Sequence, residues 1–237
     1  KSGWKTTEIG MRRLRQAERL GLAGNTLSYV RYVDDFPVYP LNNSWDDTVT
    51  AGFASDKLYV VQTNPKVIER CLAMATDPGD LVLDPTCGSG TTAYVAEQWG
   101  RRWITVDTSR VALALARARI MGARYSYYLL ADSPVGQLKE AEVARGVPSS
   151  QPTRGNIRQG FVYERVPHVT LKSIANDEPA DEEVLVDRPE KDNKVVRVSG
   201  PFWVEGTIPT PVDWDGDGQD DSSAEASKEY GSFVDRM

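Results

Sequence analysis

Asp84-Pro85-Thr86-Cys87-Gly88-Ser89-Gly90-Thr91-Thr92 places a carboxylate, a turn and two residues without side chains between an apolar run and a helix-like stretch. Upstream, Leu81-Val82-Leu83 follows the turn Asp77-Pro78-Gly79-Asp80, as a buried parallel strand would. Downstream, a helix begins at Thr91, and Gly100 can end it. The loop therefore sits at the carboxyl end of a strand, where open α/β sheets bind their ligands.

Two cofactor classes compete for such a loop. Gly88-x-Gly90-x-x-Ala93 also satisfies the dinucleotide pattern G-x-G-x-x-G/A, a match too short to decide alone. Charge separates the two. A pyrophosphate at a helix amino end needs free backbone donors and no anion nearby, whereas Asp84 opens the loop with a negative charge. That carboxylate suits S-adenosylmethionine, which carries a sulfonium and an ammonium group and whose own carboxylate can still lie against the helix amino terminus.

Arg102-Trp103-Ile104-Thr105-Val106 predicts a second strand ending at Asp107, an acid placed to hold ribose hydroxyls. NAD sites share that feature, so it supports a nucleoside cofactor without choosing one. Ser109 caps the next predicted helix, with Val111, Leu115 and Ala118 on one face and Arg110, Arg117 and Arg119 mostly elsewhere. Tyr125, Tyr127 and Leu129 alternate like a third strand, and Asp132 beyond them reads as an exposed loop acid.

The nine-residue loop resembles motif I of the amino-group DNA methyltransferases, D-P-F-x-G-S-G-T. Thr63-Asn64-Pro65-Lys66 and the helix after it resemble their motif X, T-x-K-P, and motif X running straight into motif I is the permuted order of the β class. Arg31-Tyr32-Val33-Asp34-Asp35 and Asn43-Ser44-Trp45-Asp46-Asp47 are similar to the connecting segment of type III modification methylases, which act on adenine. The resemblance runs from about 28 to 132. Asn64 stands where a Lys is usual, and Thr86 replaces a common aromatic. The resemblance implies S-adenosylmethionine as cofactor, DNA as partner, and methyl transfer to an exocyclic amino group of a flipped base, adenine N6 before cytosine N4. It implies cofactor contacts from Thr63, Asn64, Asp84, Pro85, Thr86, Cys87, Gly88, Ser89, Gly90, Thr91, Thr92 and Asp107, and assigns no catalytic residue to this chain.

The motif X helix also follows from its residues. Thr63 or Asn64 can cap it, Pro65 suits the first helical position, and Val67, Ile68, Cys71, Leu72 and Ala75 form an apolar stripe that makes Cys71 a core residue. Cys87 reads as a small residue lining the cofactor loop, with no ligands at metal spacing around it.

Family members hold the target amino group with a [D/S/N]-P-P-[Y/F/W] loop whose aromatic stacks on the flipped base. No Pro-Pro pair occurs in these residues, and in the permuted order the loop would precede Lys1. The expectation is an internal piece of a longer enzyme, inactive alone, whose missing amino-terminal part completes the site.

The 237 residues, 40% of them hydrophobic, can bury one α/β core and leave room for a second region. Two cysteines fit a reducing compartment, no stretch reaches membrane-span length, and a cytoplasmic location is expected. The net charge of −6 argues against a simple DNA-binding module. The segment to Arg31 is nevertheless basic, with Lys1, Lys5, Arg12, Arg13, Arg15, Arg19 and Arg31 against Glu8 and Glu18, whereas residues from 176 onward are acidic.

Fold class is α/β: a partial Rossmann-like S-adenosylmethionine-dependent methyltransferase sheet with a small β-rich carboxyl-terminal region. The organisation expected is a connector at 1–60, a cofactor half-domain at 61–145, a linker at 146–160 and a β-rich appendage with an acidic tail at 161–237. Phe161-Val162-Tyr163, Val169-Thr170-Leu171 and Val195-Val196-Arg197-Val198 are its strand-like pieces, and His168 alone reads as structural. Asp213-x-Asp215-x-Asp217-Gly218 matches only the first half of a calcium loop and is read as acidic tail. The incomplete sheet leaves a bare edge at which self-association is expected. An NAD(P)-dependent oxidoreductase domain and a non-catalytic interaction module remain the alternative readings.

Overall fold

The computed structural model describes residues 4–48 and 62–206, and the calcium-like sequence at 213–218 lies outside them. Residues 1–199 form one compact unit and 200–237 a second, whose described part, 200–206, carries no regular element.

The amino-terminal region starts with helix α1 (Glu8–Gln16), capped by the Thr7 hydroxyl, which accepts the Gly10 N–H at 3.1 Å. A hairpin follows, β1 (Leu20–Ala23) paired antiparallel with β2 (Thr26–Tyr29) across Gly24-Asn25. Gly24 has φ +61°, the conformation that a two-residue hairpin turn with Gly in first position requires. Arg19 and Asp35 then tie the hairpin to the chain beyond it at 2.5 Å, with the guanidinium 4.2 Å from the centre of the Tyr32 ring. Burial pushes the Asp35 carboxyl up, but the Arg19 and Tyr32 N–H hydrogen bonds outweigh it and hold the group below its ordinary range.

The central unit is β3 (Leu81–Asp84), α3 (Thr91–Gln98) and β4 (Arg102–Thr105), with β3 and β4 parallel and in register Leu81↔Arg102 to Asp84↔Thr105. A parallel pair needs a crossover, and α3 supplies it. Helix α2 (Pro65–Ala75) precedes the unit, starting where Pro65 and the Asn64 cap dictate. Leu72 of α2 packs with Val95, Ala96 and Trp99, and Ile68, Val82, Tyr94, Trp103 and Tyr128 surround that core.

Several expectations need correction. Leu81 and Leu83 are 51% and 65% exposed, so β3 is buried on one face only: α2 and α3 cover the Val82 and Trp103 side, and among the described residues nothing covers the other. Cys71 is exposed, because α2 turns Ile68 and Leu72 inward rather than the Val67 and Cys71 edge of its stripe. In α4 (Arg110–Gly122) the buried face is Ala112, Ala116 and Ile120, while Val111 is 67% exposed. Small residues win there because the helix passes close to Gly90, where an added Cβ would lie 2.7 Å from the Ala116 Cβ.

The third strand forms, as β5 (Tyr125–Tyr128), but not in the β3/β4 sheet. It pairs antiparallel with β8 (Lys191–Arg197), with an irregularity between Ser126 and Tyr127. Helix α5 (Pro134–Val143) follows β5, and beyond it β6 (Tyr163–His168) pairs antiparallel with β7 (Asp181–Pro189). Val169-Thr170-Leu171 is not a strand: Thr170 caps α6 (Leu171–Asn176) in reciprocal hydrogen bonds with Ser173. Asp132 is not an exposed loop acid either. It is 4% exposed and accepts the backbone N–H groups of Arg154 and Asn156, pinning the Gly-rich stretch after α5. No helix among the described residues is long and apolar enough to cross a membrane.

Candidate cofactor site

The parallel ladder continues one step past the strands before the loop turns away. Val106 N–H donates to Asp84 C=O at 2.9 Å, and Cys87 N–H donates to Val106 C=O at 2.8 Å. Asp84 then closes a turn of its own, its Oδ1 accepting the Thr86 N–H at 2.9 Å and the Thr86 hydroxyl at 3.2 Å. Its Oδ2 has no hydrogen bond among the described residues.

Gly88 and Gly90 have φ +51° and +73°, the left-handed region where a side chain is strained, so both loop glycines are required by the path of the chain. Gly90 is also the amino cap of α3 and lies against Ala116 of α4. The loop is thus pressed between strand ends and two helices, with Cys87, Ser89 and Gly90 buried and Pro85 and Thr86 exposed.

Asp107 locks the loop from β4. Its Oδ2 accepts the Gly88 N–H at 2.8 Å and its Oδ1 accepts the Ser109 N–H at 2.8 Å. These donors, Ser109 first and Gly88 second, hold its carboxyl below the usual range and keep it ionised. Its two oxygens together have about four acceptor positions, so capacity remains beyond these backbone N–H bonds. Burial pushes the Cys87 thiol up, against the opposing hydrogen bond with Thr105, and Asp84 and Asp107 add to the rise.

Sequence reading missed Arg119. From α4 its Nη1 reaches the Ser89 carbonyl at 3.2 Å, the Ser89 hydroxyl at 3.3 Å and the Thr91 hydroxyl at 2.9 Å, and its guanidinium lies 4.7 Å from the Tyr94 ring centre. Burial lowers its pKa, and it has no acidic partner among the described residues. One arginine in a helix with several gave no signal of this contact.

The structure brings Asp84 through Thr92 and Asp107 together, but Thr63 and Asn64 make no hydrogen bond to that loop. Asn64 is spent on structure: its Oδ1 caps Lys66 N–H at 3.0 Å and its Nδ2 donates to Thr48 C=O at 3.1 Å. Arg70 grips Asp47 with two bonds of 2.8 Å, joined by Lys66 at 3.3 Å, and lies over Trp45. The motif X helix and the Asn43–Asp47 segment therefore form one clamp. Among the described residues no cluster of His, Cys, Asp and Glu could hold a metal ion.

Residues 31–118 match the family model described as DNA methylase, for N6 and N4 amino methylation. The type II methyltransferase M2.DpnII of Streptococcus pneumoniae is 44% identical over 54 residues, 23% of this chain and 20% of that protein. The type II methyltransferase M.BamHI of Bacillus amyloliquefaciens is 40% identical over 80 residues, 33% of this chain and 19% of that protein. Among solved structures, the M1.HpyAVI–SAM complex matches at 24% identity over 35% of this chain and 42% of that one, with a TM-score of 0.29. Over this segment the chain is thus similar to DNA methylases of the N6/N4 family. The chain spans about a fifth of the length of these two curated relatives.

Proposed function

We propose that this chain is the cofactor-binding part of a DNA methyltransferase that moves a methyl group from S-adenosylmethionine to an exocyclic amino nitrogen, adenine N6 by preference. One observation carries the reading: the Asp84–Thr92 loop leaves a strand with a carboxylate at its entrance and is fastened by Asp107 from the next strand. The residues fit the cofactor. Asp107 stays ionised with acceptor capacity for ribose hydroxyls, and the Asp84 Oδ2 is open to a cation.

Bound S-adenosylmethionine supplies an electrophilic methyl group. The chain's own part is to bind and orient. Asp84 attracts positive charge, the amino end of α3 accommodates a carboxylate, and the left-handed glycines keep side chains out of the loop. Among the implied contacts, Pro85, Thr86, Cys87, Ser89, Thr91 and Thr92 shape the same loop, Asn64 acts through the clamp on the connecting segment, and Thr63 stands just before the α2 cap.

Base capture needs a Pro-Pro loop that these residues do not contain, so the chain alone binds cofactor without turnover. The open face of β3, with Leu81 and Leu83, suits the remainder of the enzyme or a second copy, and the basic amino-terminal segment suits the DNA backbone of the complete, cytoplasmic enzyme. The test is photolabelling with methyl-tritiated S-adenosylmethionine followed by peptide mapping. Label within residues 81–109 is expected, together with no methyl transfer to DNA; label elsewhere, or turnover by the isolated chain, overturns the proposal.

A further inference from the structure

The cofactor loop occupies the carboxyl ends of β3 and β4, and a separate cavity opens at their amino ends. It has a volume of about 520 Å³, within the ~300–1,000 Å³ typical of small-molecule sites. Its charge is unbalanced. Arg101, Arg102, Arg158 and Arg197 line it, and Glu97, the one carboxylate in its wall, is taken by Arg197 at 2.5 Å.

The other three guanidiniums meet no carboxylate among the described residues. Arg101 is buried and donates only to neutral oxygens: the Thr76 hydroxyl at 3.1 Å, the Thr76 carbonyl at 2.6 Å and the Trp99 carbonyl at 2.8 Å. Arg102 donates to the Gly79 carbonyl at 3.1 Å, and the Arg158 guanidinium has no partner among the described residues. Asp77 and Asp80 face Arg101 from the neighbouring turn but lie outside the wall.

Aromatic surface completes the cavity. Tyr127 is 40% exposed on the irregular step of β5, and Tyr128 and Phe161 meet edge to face at 5.3 Å. Strand irregularities commonly re-aim a side chain beside a site. Gln98 shares the wall, and its buried Nε2 has no hydrogen-bond acceptor of normal geometry among the described residues.

We propose that this cavity binds a nucleoside monophosphate, with the phosphate on Arg158 and Arg102 and the base against Tyr127. Guanidinium forks match phosphate oxygens, and a base stacks on an aromatic ring whatever its identity. A duplex presents its phosphates on a convex rod and does not enter a cavity of this size. The site lies at the opposite end of the strands from the methyl-donor loop, so the two ligands bind together.

The experiment is calorimetric titration of the chain with AMP, in the presence of saturating S-adenosylhomocysteine, beside separate titrations with adenosine and with inorganic phosphate. AMP is expected to bind under those conditions, at least about tenfold more tightly than either part alone. Arg158→Glu, an exposed position, weakens AMP about tenfold or more while leaving the thermal midpoint and S-adenosylhomocysteine binding unchanged, and Arg158→Lys retains most of the affinity. Competition between AMP and S-adenosylhomocysteine, equal AMP binding by Arg158→Glu, or phosphate binding as tightly as AMP would overturn the assignment. So would failure of AMP to bind while a duplex oligonucleotide loses affinity in Arg158→Glu.

Discussion

The Asp107 carboxylate accepts the Gly88 N–H at 2.8 Å across the gap between two parallel strands, so the acid just past β4 holds the glycine loop that follows β3. The acid proposed to hold ribose hydroxyls is also the one that closes the loop. Its ionisation is therefore tied to stability.

That tie has a sign. The carboxyls of Asp107 and Asp35 are held below their ordinary values in the folded chain. The stabilisation they give is complete above the unfolded carboxylate pKa, about 3.9, and is lost as pH falls through the lower folded values. Thermal melts should show a flat midpoint from neutrality down to about pH 5 and a decline below about pH 4. Asp107→Asn and Asp35→Asn each lower the plateau and flatten the decline; an unchanged decline in both would contradict the assignment.

Gly90→Ala tests the packing of the loop. The residue needs φ +73°, and its new Cβ would fall 2.7 Å from the Ala116 Cβ. Left-handed strain of about 1–2 kcal/mol and an overpacking penalty of similar size combine. Gly155→Ala is the control, with φ +68° and open space around it, and carries only the strain. Urea denaturation should rank Gly90→Ala as clearly worse, and equal losses would mean that α4 does not press on the loop.

Arg119→Met keeps length and apolar contact but removes the bonds to Ser89 and Thr91 and the cation over Tyr94. A loss of about 1–3 kcal/mol of stability follows from leaving the Ser89 carbonyl unpaired, while the Ser89 and Thr91 hydroxyls keep their bond to each other. Arg119→Lys recovers only part of it, because an ammonium cannot span the same atoms in a planar fork. Equivalence of the lysine variant and the parent by calorimetry would remove Arg119 from the account of loop rigidity.

The two cysteines report on separate surfaces. Cys71 is exposed on α2, whereas Cys87 is 4% exposed with its thiol pushed up by burial. Alkylation followed by mass spectrometry should label Cys71 quickly at neutral pH and Cys87 only as the loop opens. Cofactor should slow the second reaction and leave the first unchanged. Rapid labelling of Cys87 in the folded chain would contradict the buried loop.

The loop and its strand–helix surroundings were legible because glycine, proline and a terminal acid act locally: Asp84, Gly88, Gly90 and the Asn64 and Ser109 caps stand where their chemistry requires. What sequence could not give were the long-range choices. Leu81 and Leu83 look buried in any pattern analysis, and only the placement of the neighbouring layers decides that one face stays bare. The Ala face of α4 was chosen over Val111 by its approach to Gly90, and the pairing of β5 with β8 joins segments far apart in the chain. Arg119 and Asp132 matter through backbone atoms of distant loops, which carry no sequence signature.

Calorimetric titration of the chain with S-adenosylmethionine and, separately, with NAD decides which cofactor the Asp84–Thr92 loop holds. Saturable binding of S-adenosylmethionine that is weakened about tenfold or more by Asp107→Ala, with no heat from NAD, is the predicted result. Tight NAD binding that survives Asp84→Ala, with no binding of S-adenosylmethionine, would contradict it.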